Sequence, residues 1–382
     1  MPLLYLDHAA TTPVRADVLE AMMPYLTESY GNPSSHHTVG EDAAAALTDA
    51  RARVARALGM RAGDVVFTAG GTEANNLAIK GIALAARAAH PGRTQLITTP
   101  IEHESVLASC DYLRRLHGFD LTLLPVDATG RVDPGRLAAE LGPQTALVSI
   151  GSANNEVGTV QDAAALAAAC ATHRVPVHLD AVQAAGWLPL AGTGADALSL
   201  AGHKVGAPKG IGVLAVRGRI PLEPLVHGGG QERGRRSGTE NVAGAVGIAH
   251  ALESAEAERA DAASRVTAVR DAFIAAVLAA VPAARLTGHA THRLAGTASF
   301  TFAGTSGEAV LLQLERRGVV TSSGSACAAG SDEPSHVLQA LGVPADLART
   351  AVRFTFGHGP LPEPATLCAA VAAAVAAVRS GS

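Results

Sequence analysis

Lysine is nearly absent from this 382-residue chain: only Lys80, Lys204 and Lys209 occur, so 27 of the 30 basic residues are arginine. Arginine replaces lysine well enough as a surface cation, but a guanidinium stays protonated and cannot attack a carbonyl. A lysine retained in such a chain calls for a chemical reason, and Lys204 has the setting for one. It follows a short apolar run in Ala201-Gly202-His203-Lys204 and precedes Gly206-Ala207-Pro208-Lys209-Gly210, a tight bend. Burial there would favour the neutral amine, the form that attacks a carbonyl. Lys209, in Pro-Lys-Gly, reads as a turn residue, and Lys80 as a solvated residue on a helix.

Asp180 stands 24 residues before Lys204 and closes the run Pro176-Val-His-Leu-Asp. An acid at the end of a buried strand needs a cation or hydrogen-bond donors. The protonated ring nitrogen of a pyridoxal cofactor would serve, and so would a helix cap or an internal ion pair. Gly70-Gly71-Thr72, where an apolar run gives way to a helical pattern, suits a phosphate: glycines allow close backbone approach and a helix start favours anions. His103, in Glu-His-Glu, could stack on a flat ring and move protons, or be a structural histidine. Arg353, within the apolar run Ala-Val-Arg-Phe-Thr-Phe, needs an anion. That anion is either a carboxylate ligand or an internal acid. Cys327 lies among Ser, Gly and Ala from Ser322 to Ser331, a composition that predicts an exposed loop. Cys110, Cys170 and Cys368 fall within apolar helical patterns and read as packing residues.

These residues need a scaffold, and the pattern supplies one. Short apolar runs at Asp64–Thr68, Gln95–Thr99, Asp120–Val126, Thr145–Ser149, Pro176–Asp180, Ala197–Leu200 and Ile211–Val216 alternate with helical stretches such as Thr72–Ala89, Glu104–His117 and Ala163–His173. The alternation predicts an α/β fold whose mostly parallel sheet is covered on both faces by helices. Function then gathers at the carboxyl ends of the strands, where Gly70–Thr72, His103 and Asp180 fall. A Gly- and Arg-rich loop (His227–Thr239) and a long helix (Asn241–Ala280) follow. Beyond them a strand at Thr297–Phe302, a helix at Gly307–Arg317 and a strand at Ala351–Phe356 predict a smaller α+β unit.

Composition narrows the function classes. The chain is 48% hydrophobic and 17% charged, apolar enough for a large core and too weakly charged for disorder. Its net charge is −4 with no basic block, which argues against direct nucleic-acid binding. The longest apolar run, Leu367–Val378, spans 12 residues where a membrane span needs about 20. Four cysteines without paired spacing argue against a disulfide scaffold and a structural metal site, and point to a reducing cytoplasm.

Ten ordered motifs then add a resemblance: YLDHAATTP (5–13), GNPSS (31–35), FTAGGTEANNLAIKG (67–81), EHESV (102–106), NNEVG (154–158), HLDAVQ (178–183), GHK (202–204), HGGGQERGRRSGTEN (227–241), SSGSAC (322–327) and RFTFG (353–357). Nearly end to end, the chain resembles the pyridoxal phosphate-dependent cysteine desulfurases of the nitrogen-fixation and iron–sulfur type. The resemblance implies a fold-type I homodimer with a seven-stranded sheet. A large domain would cover 15–258, and 1–14 with 259–382 would form a small domain carrying the catalytic cysteine loop.

It further implies that Lys204 holds the cofactor, Asp180 faces the ring nitrogen, His103 stacks on the ring and shuttles protons, and Gln183 bonds the 3′-oxygen. Thr72 and His203 would grip the phosphate, reached by Thr239 from the other subunit. Asn155 and Arg353 would hold the carboxylate of L-cysteine, and Cys327 would take the sulfur as a persulfide. Gly71 departs from the alanine common in the family. Ala201 departs from the serine that often adds a phosphate hydrogen bond. The sequence ends at Ser382 without the tail that longer relatives use to dock a scaffold. The implied reaction yields L-alanine and delivers sulfur to an acceptor protein for tRNA thiolation, DNA phosphorothioation or iron–sulfur assembly. The alternatives are a selenocysteine lyase or aminotransferase of the same fold, or a non-catalytic sulfur-relay scaffold.

Overall fold

Seven short strands converge on one mixed sheet, and their burial explains their composition. The computed structural model describes residues 3–324 and 333–380. An N-terminal strand, β1 (Leu4–Tyr5), precedes the sheet strands β2 (Val65–Thr68), β3 (Gln95–Thr98), β4 (Asp120–Leu123), β5 (Thr145–Gly151), β6 (Val177–Asp180), β7 (Ala197–Ala201) and β8 (Gly212–Val216). Their order across the sheet is β2-β8-β7-β6-β5-β3-β4. Strands β4, β3, β5, β6 and β7 run parallel, whereas β8 is antiparallel to both of its neighbours. Every residue of β2, β3, β6, β7 and β8 is buried, as expected where helices cover both faces.

Register brings the chemistry to one edge. Gly151 pairs with Asp180, Asp180 with Ser199, Ala201 with Gly212, and Gly212 with Thr68. The carboxyl ends of β2, β5, β6 and β7 therefore open side by side. The helical stretch expected at Thr72–Ala89 begins at Gly71 and includes one π turn, Leu77–Gly81, between two α segments.

A second core lies beyond the large sheet. Strands β9 (Ala284–Leu286), β10 (Thr297–Phe302) and β12 (Ala351–Thr355) form an antiparallel sheet with β10 in the middle, while β11 (Val319–Val320) pairs in parallel with β1. Phe273, Phe300 and Phe354 pack edge to face with ring centroids 5.1–6.2 Å apart. Leu6 packs in this core, with Leu4 against it. The helix Val242–Ala280 runs unbroken between the two cores. Ile248 and Leu252 pack in the first, Phe273 and Val277 in the second. Residue 258 lies inside this helix. Among the described residues no helix is long and apolar enough to cross a membrane.

Candidate active site

The strand ends surround a cavity of about 560 Å³, and most of the residues singled out in the sequence line it. Gly71, Thr72, His103, Asn155, Asp180, Gln183, Ala201, His203 and Lys204 all contribute. Thr239 and Arg353 do not line it, and Cys327 lies outside the described residues.

Asp180 sits on the cavity floor at the end of β6, 9% exposed. It accepts hydrogen bonds from Asn75 Nδ2 (2.7 Å) and from the Val182 N–H (3.0 Å). Among the described residues no Lys, Arg or His forms an ion pair with it. A buried carboxylate with hydrogen bonds but no cation is a place for a positively charged ligand group. Asn75 Nδ2 also donates to Ser105 Oγ (2.9 Å), and the Ser105 N–H donates to His103 Nδ1 (3.1 Å). With Nδ1 accepting, a neutral His103 ring carries its proton on Nε2. Asn75 and Ser105 were not anticipated. Asn75 stands one helical turn after Thr72, on the same face, and that spacing is the only local signal for it.

Lys204 follows β7 in a single 3₁₀ turn, Gly202–Lys204. Its Nζ donates to the Ala9 and Ala10 carbonyls, the latter at 2.8 Å. Gln183 Nε2 also reaches the Ala9 carbonyl (3.1 Å), and His203 Nδ1 lies 3.1 Å from Thr11 Oγ1. The N-terminal segment thus holds three side chains that line the cavity, those of Lys204, Gln183 and His203. Burial, with Lys204 and Lys209 nearby, pushes the His203 imidazole down to about 4, so it is neutral near pH 7. Lys209 also lines the cavity. Lys80 is half-buried, with its ammonium 4.2 Å from the centre of the Tyr112 ring, a cation–π contact where a solvated residue was expected.

At the helix start the backbone is exceptionally close-packed. A Cβ on Gly71 would stand 2.8 Å from Val182 Cγ2 and 3.2 Å from the Ala201 methyl. A Cβ on Gly212 would press to 2.5 Å against the Gly70 carbonyl carbon. The two departures from the family pattern, Gly71 and Ala201, therefore face each other. This junction leaves backbone and the exposed Thr72 hydroxyl at the cavity mouth, which suits a phosphate.

Glu102 also borders the cavity and was not singled out. It accepts from Thr99 Oγ1 and from the Gly151 N–H, both at 2.6 Å. Full burial, and secondarily the Asp180 charge, push its carboxyl up to about 8. Arg353 is 2% exposed and has the internal acid that the sequence left open: Nη2 donates to Asp7 Oδ1 at 2.7 Å. Nη1 donates to the Asn155 carbonyl at 2.7 Å, which places the guanidinium directly behind a cavity residue. Its Nε is buried with no partner among the described residues. Cys110, Cys170 and Cys368 are buried, and burial raises the first two thiols to about 12.

Comparison with known proteins places the chain in a family. The aminotransferase class-V family model matches residues 4–359. A cysteine desulfurase IscS from Dictyoglomus turgidum is 44% identical over 93% of this chain and 89% of its own length. A solved NifS-like protein superposes with a TM-score of 0.90 at 34% identity, covering 98% of this chain and 99% of that one. The structure of SspA in complex with cysteine superposes with a TM-score of 0.80 at 36% identity, covering 94% and 99% of the two chains. The chain belongs to the class-V aminotransferase family, among its cysteine desulfurases.

Proposed function

We propose that this desulfurase holds pyridoxal 5′-phosphate in the 560 Å³ cavity and passes the sulfur of L-cysteine to Cys327. The observation that carries this reading is Asp180: a buried, hydrogen-bonded carboxylate on the cavity floor with no cation of its own. It would face the ring nitrogen. Lys204 would hold the cofactor covalently, His103 would stack on the ring and Gln183 would bond its 3′-oxygen. Thr72, His203 and the Gly70–Gly71 backbone beside Ala201 would take the phosphate. When bound, the cofactor supplies an electron sink for charge developing on the substrate Cα.

The chain's own residues do the rest. Asn155, backed by Arg353, would orient the substrate carboxylate. Lys204 Nζ would accept and return the Cα proton, and His103 Nε2 would move protons on the sulfur side. The Cys327 thiolate would attack the substrate sulfur. An S–S bond forms as the Cβ–S bond breaks, the electron pair of that bond passes to carbon, and protonation there gives alanine. The products are L-alanine and a Cys327 persulfide, whose outer sulfur goes to an acceptor protein.

Thr239 is exposed and outside the cavity of its own subunit, which supports a role at the partner's site in a cytoplasmic homodimer. Separate apolar cores support treating 15–258 and 1–14 with 259–382 as two working units.

The test is Lys204→Arg, which keeps the charge but cannot bond a carbonyl. Alanine production from cysteine should fall at least about a hundredfold, the lower range for losing a positioned acid–base group. The purified variant should also lack the yellow colour that the account predicts for the wild-type holoenzyme. Retained colour and activity would transfer the role to Lys209.

A further inference from the structure

Glu156 follows Asn155 in the loop after β5, is 5% exposed, and has no part in the chemistry above. Its carboxylate accepts a 2.6 Å hydrogen bond from Ser335 Oγ. Ser335 in turn caps the helix His336–Ala340 by accepting from the Leu338 N–H. Gly324 lies beside the same carboxylate. A Cβ there would stand 3.6 Å from Glu156 Cβ and 3.7 Å from Oε2. The Gly324 carbonyl accepts from Arg353 Nη1 at 3.2 Å, and that nitrogen also holds the Asn155 carbonyl. Just upstream, Ser322 exchanges backbone hydrogen bonds with Arg353. Gly324 lies three residues before Cys327 in the sequence and Ser335 eight residues after it. Both flanks of the cysteine therefore meet on one buried Glu156–Arg353 cluster, which also holds the backbone of Asn155.

A carboxylate in this setting is costly, because burial opposes its charge and, among the described residues, only the Ser335 hydroxyl donates to it from a side chain. Apolar packing alone would not require it. We propose that Glu156 is a positioning residue: by holding Ser335 beside the Arg353–Gly324 contact, it sets where Cys327 stands relative to the substrate sulfur. What Cys327 does rests on the function proposed above; the grip on its flanks does not. Releasing one end of a segment lowers the effective concentration of any group it carries at a fixed target. Displacing a nucleophile by about 1 Å costs on the order of a hundredfold in rate.

The experiment compares Glu156→Ala, Ser335→Ala, Ser335→Thr and the double alanine variant as holoenzymes. Each alanine variant should lower kcat for alanine formation on the order of tenfold to a hundredfold, with KM for L-cysteine unchanged within about twofold. If the two act through one hydrogen bond, the double variant is no slower than the slower single variant. Ser335→Thr keeps the hydroxyl and should retain wild-type rates. A second readout needs no turnover: the rate at which iodoacetamide alkylates Cys327 without substrate, the other three cysteines being buried. That rate should shift equally in both alanine variants and not in Ser335→Thr. Additive effects would overturn the proposal, as would a KM rise matching the kcat loss, which would mean action through Asn155. An unchanged alkylation rate would overturn it too. If the wild-type protein forms no persulfide, the proposed function fails, while the alkylation comparison still decides whether Glu156 governs Cys327.

Discussion

Asp180 and Glu102 are carboxyls buried at the same cavity, yet hydrogen bonding divides their roles. Asp180 is reached by a side-chain amide and a backbone N–H and faces the space a ligand ring would fill. Glu102 is turned inward onto Thr99 and Gly151, and burial pushes it up to about 8. The folded protein thus binds the Glu102 proton more tightly than the unfolded chain does. Its contribution to stability is fully present below the ordinary carboxyl pKa and is lost as pH rises through about 8. Glu102→Gln, which mimics the protonated form, should leave Tm nearly unchanged at pH 5 and raise it relative to wild type at pH 9. A Tm difference independent of pH in thermal melts would contradict this. Arg353 is the other residue whose partners decide its reading. Arg353→Lys keeps a cation for Asp7 but loses the fork that spans Asn155, Gly324 and Asp7. Losing a charge-assisted hydrogen bond of about 1.5–3 kcal/mol predicts a KM for cysteine roughly tenfold to a hundredfold higher. Unchanged cysteine kinetics would make Arg353 an internal ion-pair residue only.

At the scale of elements, the junction of β2 with the following helix is the most constrained point of the site. Gly71→Ala places a methyl 2.8 Å from Val182 Cγ2, an overpacking that costs about 1–3 kcal/mol. The variant should melt earlier and bind pyridoxal phosphate more weakly. Adding Val182→Ala should restore both, as read by melting and by cofactor titration of the cofactor-free protein; failure of the rescue would remove Val182 from the explanation. The strands were legible because buried runs between glycines and prolines are distinctive: Thr297–Phe302 has the expected bounds, and the other runs differ by a few residues at most. The reversed direction of β8 was not legible, since a fully buried strand reads the same either way. The π turn at Leu77–Gly81 falls in an apolar stretch whose local pattern does not distinguish it from α-helix. Site residues could be named from motifs, but not the contacts that unite them. Asn75 meets Asp180 across 105 positions and Arg353 meets Asp7 across 346.

At the scale of the molecule, the candidate active site lies where two cores meet. The large sheet and the loops after its strands carry Asp180, His103 and Lys204, the N-terminal segment supplies the Ala9 and Ala10 carbonyls, and β12 places Arg353 behind Asn155. Glu156 extends from the large sheet's side to the flank of Cys327. Under the proposed function, cofactor and substrate are held by one set of residues and sulfur is accepted by another. Cys327→Ala should therefore still bind L-cysteine while forming no protein-bound persulfide. The most direct measurement follows the sulfur: holoenzyme is mixed with one equivalent of L-cysteine without reductant, alanine is quantified, and each cysteine-containing peptide is examined by mass spectrometry. The account predicts one added sulfur atom, on Cys327 alone, for each alanine released. Alanine released with Cys327 unmodified, or sulfur appearing on another cysteine, would contradict it.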